Sequence, residues 1–301
     1  MIVGLLHPGQ MGAAIGARLT AAGHDVLWCP TGRSPATHER AGAAGLRPVR
    51  DLTALLGQAE LVLAICPAGV AESVAHAVAE SGYSGVYVDA NAISPQRMNA
   101  ISDLLTTAAT AVVDAMVSGP PPTAETAPRI YMAGPSPIID PVFELLSGSG
   151  FDTTVVAEQI GAASALKMAT ASFLRTSRAL VAIAHALADA HGVTSGLLRE
   201  ADLMGLPMLA DRDDLPGVAA RAWRWIPEMS EIAATLTDAD LPPDLASATA
   251  AIYQLLAPMK DDWTATPGQV LRQLKSDART RSTSGDSWLS GPETDEGAAS
   301  P

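Results

Sequence analysis

The chain has 301 residues, of which 48% are apolar and 17% charged, and a net charge of −13. That length predicts two domains, and that apolar content predicts a packed globular chain. The acidic balance argues against nucleic acid or an anionic membrane as partner, because both need a basic face. With only two cysteines, Cys29 and Cys66, no disulfide framework is indicated and a reducing cytoplasm fits. The apolar start Met1–Leu6 is too short and lacks the basic flank of a secretory leader. No run reaches the roughly eighteen apolar residues of a membrane span.

Strand-like runs occur at Ile2–Leu6, Asp25–Cys29, Leu61–Cys66, Gly85–Asp89, Ala111–Val117, Arg129–Ala133 and Thr153–Val156. Helix-like stretches fall between most of them, at Met11–Ala22, Ala36–Ala44, Leu52–Leu56, Val70–Glu80, Pro95–Thr107 and Pro137–Leu146. This alternation predicts a Rossmann-like α/β domain with a parallel sheet covered on both faces. From Gly161 to Ala190 there is no proline and no internal glycine, which predicts one interdomain helix about 45 Å long. The remainder reads as helices broken at Pro207, Pro216, Pro227, Pro242 and Pro258, and from Ser276 the composition turns to that of a disordered tail. The expected domains are therefore a dinucleotide-binding domain over 1–158, an all-α domain for substrate and dimerisation over 159–275, and a tail over 276–301.

The first strand runs into His7-Pro8-Gly9-Gln10-Met11-Gly12 and then into a helix. Strand, glycine turn and helix N-terminus form the place where a dinucleotide pyrophosphate sits on backbone N–H groups. Gly9, Gln10, Met11 and Gly12 are assigned to the cofactor. His7 stands where the usual G-x-G-x-x-G has its first glycine; filling space is the favoured role for its ring. NAD-binding versions carry an acid about twenty residues past the glycines. Here the second strand ends in Thr31, Arg33 and Ser34 with no acid, and a guanidinium with hydroxyls suits a 2′-phosphate. The cofactor expected is NADP(H). Cys66-Pro67, at the next strand end, is assigned to the cofactor as well.

Four segments resemble the β-hydroxyacid dehydrogenase family, which includes 3-hydroxyisobutyrate and 6-phosphogluconate dehydrogenases and has imine reductases as relatives. Gly9-Gln10-Met11-Gly12 is similar to its G-x-M-G turn, Asp89-Ala90-Asn91-Ala92-Ile93-Ser94-Pro95 to its D-x-S-T-I-S-P loop, and Asp114-Ala115-Met116-Val117-Ser118-Gly119 to D-A-P-V-S-G. Gly161-Ala162-Ala163-Ser164-Ala165-Leu166-Lys167 matches the spacing of the family's catalytic lysine. The stretch Trp223–Ile232 looks like a branch with a phosphogluconate-dehydrogenase-like C-terminal domain. Three departures set the chain apart: Asn91-Ala92 for Ser-Thr, three prolines after Gly119, and Ala171 where the family has asparagine.

The resemblance makes Lys167 the general acid/base. On the residues alone, a lysine on a small apolar helix face either snorkels to water or lines a pocket. Ser118 and Gly119, at a strand end, are assigned to a substrate carboxylate, together with Ser164. Asn91 is assigned to substrate; its amide either meets a ligand or makes an Asx-turn. Solvent is the favoured setting for Arg175 and Arg178, packing for Trp223 and Trp225, and a helix first turn after Pro227 for Glu228 and Glu231. His185 and His191 lack metal-ligand spacing, so no metal site is expected. The implied function is NADP-dependent hydride transfer on a small β-hydroxy or keto acid. Imine reduction, or a non-catalytic NADP-binding sensor or assembly protein, is the alternative. A long helix with apolar positions on several faces implies a homodimer.

Overall fold

The computed structural model describes residues 1–123 and 125–284, with side chains as far as 275; the remainder of the expected tail lies outside the described residues. The chain divides into two compact units, Met1–Ala171 and Ser172–Pro301.

In chain order the first unit contains β1 (Ile2–Leu6), α1 (Gln10–Ala21), β2 (Asp25–Trp28), α2 (Pro35–Ala43), β3 (Arg47–Pro48), α3 (Leu52–Leu56) and β4 (Leu61–Ala64). It continues with α4 (Ala71–Glu80), β5 (Val86–Asp89), α5 (Pro95–Thr107), β6 (Ala111–Ser118), β7 (Arg129–Ala133), α6 (Ser136–Gly148) and β8 (Asp152–Ala157). The strands form one eight-stranded sheet in the order β3-β2-β1-β4-β5-β6-β7-β8. The strand order reverses its direction of growth between β1 and β4, which opens a crevice beyond their carboxyl ends. The two-residue β3 is too short to leave a sequence pattern. Every neighbouring pair is parallel except β6 and β7, which run antiparallel. A loop without a helix joins them, and a parallel pair would need a longer crossover.

Alternation along the strands decides which face each side chain covers. Val3, Leu5, Val26, Trp28, Leu61 and Leu63 pack with Ile15 and Leu19 of α1 and Val142 and Leu146 of α6. Leu6, Leu27, Val62 and Ala64 point the other way, onto Leu55 of α3, Val78 of α4 and Met98 and Leu105 of α5.

The long helix α7 (Ala162–Ala190) begins in the first unit and runs into the second. The units divide after Ala171, beyond the expected boundary at 158/159, because the first turns of α7 pack on the sheet through Ala163, Met116 and Ala133. The second unit continues with α8 (Thr194–Leu203), α9 (Pro207–Ala210), α10 (Leu215–Asp238), α11 (Asp244–Leu256) and α12 (Pro267–Ser284). Pro227 does not break the chain there; it lies inside α10. Glu228 is accordingly a mid-helix residue and not part of a first turn. It is buried and receives the Arg175 guanidinium at 2.9 Å. Arg178 pairs with Asp214 at 3.3 Å, so neither arginine is simply solvated. Trp225 packs as expected, with its ring 5.2 Å from that of Tyr253 and the Arg175 guanidinium 4.5 Å above it.

One buried contact fastens α7 to the sheet. The Asp114 carboxylate, at 0% exposure, accepts from the Ser164 N–H at 3.0 Å and from the Ser164 hydroxyl at 2.8 Å. The N–H groups of Gly161 and Ala163 donate to it as well. Donors that a helix start leaves without an intrahelical partner are thereby satisfied by one anion at the positive end of the dipole. Asp114→Ala is expected to lower unfolding stability by about 2–3 kcal/mol, because it strands buried donors. Urea denaturation checks this, and Ser164→Ala should lose about 1 kcal/mol in the same measurement.

Candidate active site

The glycine turn has the features a pyrophosphate needs. Gly9 is the N-cap of α1, and no side chain caps that helix. A Cβ on Gly9 would meet nothing within 4 Å, so a ligand has open approach there. A Cβ on Gly12 would lie 2.9 Å from the backbone oxygen of His7, so only glycine lets the helix start this close to the turn. These residues fit a bound dinucleotide: open backbone at an uncapped helix N-terminus, with the dipole favouring an anion.

The second strand brings its polar end to the same place. Arg33 Nη1 lies 2.8 Å from His7 Nδ1 and Nη2 lies 3.3 Å from His7 Nε2. His7 therefore does more than fill space. Ser34 caps α2, accepting from the Thr37 N–H at 3.3 Å. The Thr31 hydroxyl donates to the Arg50 carbonyl at 3.2 Å. Burial and the neighbouring Arg33 charge push the His7 imidazole down to about 4, so it is neutral at physiological pH.

Asn91 is buried and fully engaged in tying strand ends together. Its Oδ1 accepts from the Cys66 N–H at 2.6 Å, and its own Nδ2 and N–H donate to Asp89 at 3.0 and 2.9 Å. The amide thus shapes the Cys66-Pro67 segment through a long-range bond, and the local Asx-type contact belongs to Asp89, whose carboxylate accepts from the Asn91 N–H. Cys29 and Cys66 are both free thiols and half-buried, more open than full packing residues. Burial, with the Asp89 charge, pushes the Cys66 thiol up to about 12, so it stays protonated. Ser164 is equally inward: at 1% exposure its hydroxyl serves Asp114 and the start of α7.

Lys167 and Ser118 do come together, at the carboxyl end of β6. The Lys167 ammonium donates to the Val117 carbonyl at 3.2 Å. The next residue, Ser118, accepts from Arg129 Nη2 at 3.4 Å through its hydroxyl. Gly119 follows at φ 126°, a backbone region other residues rarely adopt. Arg129 opens β7 opposite Ser118 because β6 and β7 are antiparallel. It was not legible as a site residue, since its place depends on that strand direction. Two cations, a hydroxyl and a glycine turn here make a setting for a small carboxylate with a proton donor beside it. A separate groove of about 830 Å³ runs along α1, past Ala14, Ala17, Arg18 and Thr123, and its lining includes neither Lys167 nor Ser118. Among the described residues no group of His, Cys, Asp and Glu is arranged to hold a metal ion, and no helix is long and apolar enough to cross a membrane.

Residues 2–161 match the model of the NAD binding domain of 6-phosphogluconate dehydrogenase, and residues 188–256 match a domain of unknown function. The chain belongs to the β-hydroxyacid dehydrogenase family. Solved structures agree with that membership. A conserved protein of unknown function, described as structurally similar to 3-hydroxyacid dehydrogenases, is 25% identical with a TM-score of 0.66 over 86% of this chain and 98% of its own. The 3-hydroxyisobutyrate dehydrogenase of Mycobacterium tuberculosis, solved with L-serine, shares the fold at 20% identity and a TM-score of 0.73, over 91% and 99% of the two chains. An imine reductase of Streptomyces aurantiacus does so at 18% and 0.59, over 90% and 99%. As a β-hydroxyacid dehydrogenase-family member, the chain is an NAD(P)-dependent oxidoreductase with a Rossmann-like first unit.

Two buried carboxylates stand side by side behind this dehydrogenase site, since Asp89 and Asp114 are register partners on β5 and β6. Burial, with the Asp114 charge adding to it, pushes Asp89 up to about 7 against the pull of its two bonds from Asn91. A carboxyl held above its unfolded value of about 3.9 contributes stability that is present at low pH and is lost as pH rises through 7. Between pH 5 and 7 this group should therefore lower stability by about 1 kcal/mol per pH unit, and Asp89→Asn should flatten the slope. Thermal melts of both proteins across that range check the prediction; parallel slopes would contradict it.

Proposed function

We propose that the protein is an NADP(H)-dependent reductase or dehydrogenase of a small β-hydroxy or keto acid, with Lys167 as general acid/base. The observation that carries the reading is the cluster at the end of β6, where Lys167, Ser118 and Arg129 converge beside the Gly119 turn. When bound, the nicotinamide supplies or accepts the hydride. Gly9, Gln10, Met11 and Gly12 hold the pyrophosphate, Cys66-Pro67 borders it, and Arg33 with its neighbouring hydroxyls receives the 2′-phosphate. Arg129, Ser118 and the Gly119 N–H orient the substrate carboxylate. Lys167 gives a proton to the developing alkoxide in reduction and removes it in oxidation. Its bond to the Val117 carbonyl keeps the ammonium at the strand end, and Asp114 keeps the helix turn that carries it in register.

Imine reduction is the second reading; it rests on the shared fold, and the lysine favours the carbonyl substrate. NADPH oxidation against a panel of keto acids and cyclic imines separates the two and also tests for a protein without turnover. With the best keto acid, Lys167→Ala should lower kcat by about a hundredfold or more. Arg129→Ala should raise KM by tenfold or more at little change in kcat, as loss of a charge-assisted contact worth about 1.5–3 kcal/mol predicts. Turnover confined to imines, or undiminished in Lys167→Ala, overturns the proposal.

The functional unit we propose is a cytoplasmic homodimer. On α7, Phe173, Leu180, Ile183 and Leu187 form one apolar stripe, exposed by 69%, 57%, 40% and 61%. Spacings of seven, three and four residues keep them on one helix face. A second copy of the stripe suits it by two-fold symmetry. Light scattering should give twice the chain mass, and Leu180→Asp with Leu187→Asp should give the monomer mass; a monomeric parent chain sinks the idea.

A further inference from the structure

His7 is the residue the dinucleotide reading leaves without a task. It stands where the fingerprint has its first glycine, and its backbone adopts φ 64°, the left-handed region that glycine enters without penalty. A side chain is therefore kept at a position where the backbone favours having none. That side chain is only partly open to solvent and is aimed at one group, the guanidinium of Arg33.

The contact is chemically incomplete. Both ring nitrogens face terminal guanidinium nitrogens, at 2.8 and 3.3 Å. Arginine only donates, and a neutral imidazole has one acceptor nitrogen and one N–H. In either tautomer one pair is a sound hydrogen bond and the other sets donor against donor. Burial and the Arg33 charge keep the ring neutral, so the ring retains one N–H. Arg33 Nε, also buried, has no hydrogen-bond partner. Donors therefore converge between the glycine turn and the end of β2, and what completes such a set is an oxyanion, which only accepts.

We propose that His7 is a ligand of the adenosine 2′-phosphate of NADP(H), its ring N–H and the Arg33 guanidinium receiving the phosphate together. The proposal rests on the NADP(H) reading above and adds a specificity-determining residue to it. The ring does two things at once: its acceptor nitrogen holds one arm of Arg33 in place, and its N–H, set against the other arm, is the donor that a phosphate oxygen seated between the two groups would accept from. This makes the departure from the glycine fingerprint a selective device. With NADH, which lacks the phosphate, the donor-against-donor contact is left unresolved.

The test measures binding to the full chain by calorimetry, with NADPH, NADH and adenosine 2′-monophosphate as probes. His7→Gly suits the left-handed backbone and removes only the ring, whereas His7→Asn tolerates that backbone and keeps one donor and one acceptor. His7→Gly should weaken NADPH and adenosine 2′-monophosphate by about tenfold or more, the worth of a charge-assisted hydrogen bond, and leave NADH within about twofold. His7→Asn should recover most of the loss. In an Arg33→Ala background, His7→Gly should have a clearly smaller effect, because the two groups act as one site. If Arg33→Ala lowers NADPH preference and His7→Gly does not, the NADP(H) reading stands and the role of His7 is overturned. If neither variant moves the preference, both fail. Equal weakening of NADPH and NADH by His7→Gly would make His7 a support of the turn and overturn the proposal.

Discussion

The Asp114 carboxylate is the joint on which the site depends. It sits in β6, fully buried, and closes on the first turn of α7 through the backbone and hydroxyl of Ser164. A helix start is a cluster of donors with partial positive charge, and a carboxylate is the side chain that satisfies several of them together. Three residues on from Ser164, nearly one turn, the same helix delivers Lys167 to the Val117 carbonyl, three residues on from Asp114 in the same strand. Strand and helix are thus locked by one bond set and present their functional groups at the next step. Asp89, on the neighbouring strand, repeats the arrangement with Asn91, which draws the Cys66-Pro67 segment into place. Burying two carboxylates on adjacent strands is costly: burial pushes both acids up, and at Asp89 the Asp114 charge adds to it.

At the other end of the crevice the logic is the reverse. A chain with net charge −13 has no general attraction for a polyanionic cofactor, so attraction must be local. An uncapped helix N-terminus and the open Gly9 lie at the end of β1, and the His7–Arg33 pair brings a cation to the same turn. In the second unit arginines are used differently: Arg175 and Arg178 answer Glu228 and Asp214 and lie over the Trp225 ring, where they bind α7 to α10.

Much of this was legible in the residues because the signals are short-range. The continuous apolar runs Ile2–Leu6 and Leu61–Ala64 mark strands buried on both faces of a parallel sheet. The glycine turn is recognisable because close backbone approach tolerates no Cβ at Gly12. Lys167 stands out through the resemblance of Gly161–Lys167 to the family's lysine segment. The residues whose roles read differently are those with a decisive partner far along the chain. Ser164 and Asn91 carry ligand-like groups, yet their donors and acceptors turn inward to Asp114, Asp89 and Cys66. Pro227 ends a helix on local grounds, but packing of α10 on α11 carries the helix through it.

The sequence by itself determined the α/β alternation, the dinucleotide turn, the acid-free end of the second strand and the long helix with its lysine. Each depends on residues within a few positions of one another, where backbone geometry and side-chain chemistry leave few alternatives. Tertiary structure alone decided that β7 runs antiparallel to β6, which places Arg129 beside Ser118, and that His7 meets Arg33 across twenty-six residues. Those pairings depend on strand order and register, which the whole hydrophobic core selects and no local run of residues can express.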